Sequence, residues 1–131
     1  MLALRAAPVL MAVAALASGC GDGEDLLSES SLRECLASEG LTVEAPDLVA
    51  SPALGNVSPD FRAVTEEGAG VDVVVQASEE KARRSAADIQ GALRSLGAGG
   101  SEVVSNRNAI AVFEEPPVAS SRQAVERCLE G

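Results

Sequence analysis

The feature that most constrains this chain is a pair of near-matching steps, "RECL" at Arg33–Leu36 and "ERCL" at Glu126–Leu129. Each puts a cysteine and then a leucine close to one end of the body. Apolar residues around both steps recur at three- and four-residue spacing, so Leu32, Cys35 and Leu36 share one helical face, and Ala124, Val125, Cys128 and Leu129 share another. Two short helices, each with a sulfur on its inward face, are expected. Little material for a core lies between them. Phe61 and Phe113 are the only aromatic residues, so the interior must be built of Val, Leu, Ile and Ala. Such a core is thin by surface-to-volume scaling, and a covalent cross-link is a common remedy in small domains.

Whether a cross-link is chemically reasonable depends on the compartment, and the first twenty residues bear on that. "MLALRAAPVLMAVAALASGC" has one Arg at position 5, an uncharged run from Ala6 to Ala17, and small residues leading into Cys20. This is the layout of an export signal. The run falls short of the ~20 residues a spanning helix needs, and Pro8 interrupts it. At Ala17–Cys20 the stretch "ASGC" resembles the lipobox of bacterial lipoproteins, although Ala17 stands where Leu is commoner and Leu16 lies one step back. The resemblance covers the leader alone. It implies a diacylglycerol group on the sulfur of Cys20, cleavage between Gly19 and Cys20, and a membrane anchor on the extracytoplasmic side. The alternative is ordinary signal-peptidase cleavage after Ala17, which would release a soluble secreted chain.

Three cysteines leave one unpaired in an exported protein. Lipidation of Cys20 would account for it and leave Cys35 and Cys128 as a disulfide pair, which an oxidising compartment permits. The two sulfurs are too far apart in sequence for a Cys-x-x-Cys redox pair, and two cysteines in a chain without histidine make a poor zinc site. A structural clasp between the first and last helices is the expectation.

The organisation that follows is a leader over residues 1–19, a lipidated Cys20 with a polar tether to residue 27, and one domain over residues 28–131. In the tether, "GDGED" (Gly21–Asp25) lacks the alternating ligands and distal glutamate of a calcium loop. Beyond Gly19 there are nine basic and twenty acidic side chains, a net charge of −11. A body this acidic repels nucleic acid, which is excluded as a partner.

Within the domain a first helix is expected over 28–39, with Ser31 and Glu34 as a capping box, then a strand over 41–44. Residues 45–60, "APDLVASPALGNVSPD", hold three prolines and read as a long loop that either packs on the sheet or meets a partner. Strands are expected over 61–65 and 71–77 around the turn "EEGAG", and Val74 on the otherwise polar face of the second points to cover on both sides. Residues 78–96 form the clearest helix, capped by Ser78, with Ala82, Ala86, Ile89, Leu93 and Leu96 as its stripe. Two strands over 102–105 and 109–114 meet at a turn where asparagine tolerates the left-handed conformation, and Ser120 caps a last helix. This order predicts an α+β two-layer sandwich: a small mixed, mostly antiparallel sheet, helices on one face, and a parallel crossover from Val71 to Ser105.

Chemistry is sparsely signalled. Without histidine, Ser-His-Asp and Cys-His catalysis are excluded. Lys81, beside Glu79 and Glu80, is badly placed for a lowered pKa. The doublets Glu66-Glu67, Glu79-Glu80 and Glu114-Glu115 point apart on regular elements, so none alone is an acid/base pair. No catalytic residue, cofactor or metal ligand is assigned. A lipid-anchored binding module meeting a protein or cell-wall partner is the expectation; the alternative is a small hydrolase or ligand carrier using carboxylates that converge from distant positions.

Overall fold

Alternation in the strands sorts the apolar residues onto two faces of one sheet, and the computed structural model, which describes residues 26–45, 57–97 and 101–131, has helices on both. The elements are α1 (Glu29–Ser38), β1 (Thr42–Glu44), β2 (Phe61–Val64), β3 (Gly70–Val75), α2 (Glu79–Ser95), β4 (Glu102–Asn106), β5 (Ala109–Phe113) and α3 (Ala119–Glu130). The sheet order is β1-β2-β3-β5-β4, and every neighbouring pair is antiparallel.

The α+β class, the element order and the disulfide-linked terminal helices agree with the sequence reading. Two finer expectations do not. The sheet is antiparallel throughout rather than mixed, because β5 pairs with both β3 and β4 and separates them. β3 and β4 still run parallel to one another across β5, so α2 makes the crossover without a parallel ladder. The helices also occupy two faces rather than one. Phe61, Ala63, Val71, Val73, Ala109, Ala111 and Phe113 pack against α1 and α3, whereas Val74, Ile110 and Val112 pack against Ala82, Ala86, Ile89 and Leu93 of α2. The physical reason lies in β5, whose five residues "AIAVF" are all buried and need an apolar layer on each side.

Local chemistry explains where the elements begin and end. Ser28 caps α1 by accepting from Ser31 N–H at 3.1 Å, and the Ser31 hydroxyl returns to the Ser28 N–H, so the capping box uses Ser28 with Ser31 rather than Ser31 with Glu34. At its other end Gly40 has φ +95°, Gly40 N–H bonds Ala37 C=O at 3.1 Å, and Leu41 N–H reaches Leu36 C=O at 3.0 Å. That is a Schellman closure, with Leu36 and Leu41 both buried beside it. Ser78 caps α2 as expected, but Leu96 falls outside the stripe as its exposed C-cap residue. The β4–β5 hairpin has a two-residue loop in which Arg107, not an asparagine, takes positive φ (52°). Asn108 is held instead by its side-chain bonds. α3 begins at Ala119, earlier than a Ser120 cap would allow, so Val118 holds the N-cap without a side-chain bond and Ser120 falls inside the first turn.

Cys35 and Cys128 are joined, with their Cα atoms 5.7 Å apart, 93 residues apart in sequence. The bond ties α1 to α3 over the face that holds both phenylalanines.

Candidate functional site

Of the residues singled out from sequence, Cys35 and Cys128 are brought together, Cys128 is buried, and neither is a free thiol. Their place in the packed layer makes the bond a structural one. Cys20, the leader and the tether to Asp25 lie outside the described residues, as do residues 46–56 of the Pro-rich loop. From the described end of that loop, Val57 packs against the α2 layer, and Asp60 accepts from Val75 N–H at 2.6 Å.

Three charged arrangements were not legible in the sequence. The first is a small recess of about 210 Å³ at the end of the sheet where β2 turns into β3, lined by Glu39, Gly40, Glu66, Glu67, Ser121 and Arg127 among others. Glu39 and Arg127 form a two-point ion pair at 3.2 and 2.5 Å. Glu67 accepts from the Ser121 hydroxyl at 3.1 Å to each oxygen. The Arg127 guanidinium holds the Glu39 carboxyl below its ordinary value. Thr65 chiefly, with the Glu67 backbone N–H and Ser121, does the same for Glu67. The Glu66-Glu67 doublet, discounted because neighbours point apart on a strand, does enter one recess: it lies in a turn, where strand alternation does not apply.

The second arrangement lies on the α2 face of the sheet. Arg62 reaches Glu114 through both guanidinium nitrogens, one of them at 3.0 Å, and lies 3.6 Å from Asp72 and 3.7 Å from Glu44. Asp72 is buried, and Glu114, above all, holds Arg62 firmly protonated. The guanidinium occupies the space beside Gly70, where a Cβ would meet it and the Glu114 carboxylate unless those side chains shifted. The third arrangement is an open groove of about 630 Å³ between the end of α2 and β4, lined by Leu93, Arg94, Gly97 and Glu102 among others. Among the described residues its carboxylate is Glu102, which is already paired with Arg122 at 2.8 Å.

Chemically these groups are committed. A general acid needs a carboxyl whose pKa is raised toward neutrality, and Glu39 and Glu67 are shifted the opposite way. Among the described residues no group of three or more His, Cys, Asp or Glu is arranged to hold a metal ion, and no helix is long and apolar enough to cross a membrane. No protein-family model, curated protein or solved structure matches the chain.

Proposed function

We propose that the chain is a lipid-anchored, non-catalytic binding module of the cell envelope. The observation that supports the non-catalytic part is the recess itself: Arg127 pairs with Glu39 there, and Thr65 chiefly, with Ser121, holds Glu67, so both carboxyls lie below their ordinary value rather than raised toward neutrality. Its volume of about 210 Å³ is also below the ~300–1,000 Å³ of ordinary small-ligand pockets. Small and lined by three glutamates, it suits hydrogen-bond donors or a cationic side chain on a partner's surface better than an enclosed substrate. The anchored part rests on the likeness of Ala17–Cys20 to a lipobox, supported by the cysteine count, since Cys35 and Cys128 are bonded to each other and Cys20 is left over.

The test has two arms. Cys20→Ser moves the protein from the membrane fraction to the medium or leaves it unprocessed; normal processing with full membrane retention would remove the anchor. Capture from solubilised envelopes recovers a partner with the native chain that Glu66→Arg loses. Turnover of an ester, amide or glycoside that Glu39→Gln abolishes would replace the module with a hydrolase.

A further inference from the structure

The chain enters the fold at one end of the sheet, through a joint built on Asn108. Leu27 donates its N–H to Asn108 Oδ1 at 2.6 Å, and its C=O accepts from Asn108 Nδ2 at 2.9 Å. The same Nδ2 reaches Gln76 C=O at 2.9 Å, and Gln76 N–H donates to Asn108 C=O at 2.7 Å. The start of α1, the end of β3 and the β4–β5 turn are thereby one unit around a side chain that is 2% exposed. It lies at the Val75–Ala109 end of the β3–β5 ladder, whereas the recess lies beyond the Val71–Phe113 end, at the opposite pole.

We infer that a lipid on Cys20 holds the domain in one polarity on the bilayer, with the Asn108 joint toward the membrane and the Glu39–Glu67–Arg127 recess presented away from it. The inference rests on the lipid-anchored reading. Seven residue steps separate Cys20 from Leu27. Fully extended they reach at most roughly 25 Å. A body of this size has a radius of gyration of ~13 Å, which for a solid sphere means roughly 33 Å across. Inversion would lift Leu27 a full body width above the surface, beyond the tether's reach. The joint is what makes the tether short: it fixes the chain at Leu27, and the Ser28 cap and the bond at Cys35 fix the helix that follows.

The test uses the full-length lipidated, oxidised protein in phosphatidylcholine–phosphatidylglycerol vesicles whose headgroups carry an energy acceptor. A fluorophore is attached through Asn106→Cys beside the joint or through Glu66→Cys beside the recess, both exposed positions. Transfer is expected to be several-fold stronger from position 106. A ten-residue Gly/Ser insertion after Gly23 is expected to bring the two positions close to equal. Failure of the native chain to float with the vesicles would overturn the anchor reading, and this inference with it. Flotation with equal transfer from both positions, or a difference that survives the insertion, would overturn the polarity while leaving the anchor standing.

Discussion

At the scale of single residues the two acids of the recess set a pH dependence whose sign is fixed. Glu39 and Glu67 titrate lower in the folded chain than their ordinary value of 4.5, so the folded state binds fewer protons than the unfolded state as the pH falls through that region. Their contribution is fully present above the unfolded pKa and is lost as the pH drops through the lowered folded values. Thermal midpoints measured between pH 7 and pH 3 should hold steady and then fall below about pH 4.5. The double variant Glu39→Gln/Glu67→Gln should have a shallower acid limb, and an unchanged limb would mean that the contacts of Arg127 and Ser121 do not favour the ionised forms. The pair formed by Glu39 and Arg127 is 88 residues apart in sequence, and that of Arg62 and Glu114 is 52 apart. Neither has a periodicity to announce it. The cysteine pair was legible only because each sulfur sits in a helical pattern and the leader reads as an export signal, which would put the bond in an oxidising compartment.

Among the elements, α2 is the one whose bounds, cap and buried stripe were nearly all readable, because a seventeen-residue helix repeats its period often enough to declare a face. Its cap provides a local test. Ser78→Ala removes the 3.1 Å bond to Lys81 N–H and should lower stability by about 1 kcal/mol, read as a shift in urea midpoint at unchanged slope. No measurable shift would mean that the first turn is held by packing of Ala82 alone. The face against which α2 packs was not read. Val74 hinted at cover on both sides, yet the decisive strand was β5, whose unbroken apolar run states burial without stating by what. Insertion of β5 between β3 and β4 is a choice of partner, and local alternation carries no partner information. Caps were read by residue type, whereas Ser28 and Val118 hold those positions because of where the neighbouring chain turns.

For the whole molecule the disulfide is the largest single constraint. A closed loop of 93 residues lowers the entropy of the unfolded chain enough to stabilise by roughly 4–5 kcal/mol in the chain-entropy model. Cys128→Ala should accordingly reduce the unfolding free energy by a few kcal/mol in chemical denaturation, and a change under about 1 kcal/mol would mean that the α1–α3 layer is held by its apolar contacts alone. The same bond governs how the domain would respond to mechanical load. Pulled between Leu27 and Gly131, the oxidised chain can pay out only the segments outside the two sulfurs, on the order of 40 Å of contour, while the reduced chain would release roughly 350 Å. Force applied between the two ends would thus unravel a few turns of terminal helix and then stop at a covalent knot, leaving the sheet and its recess intact behind it.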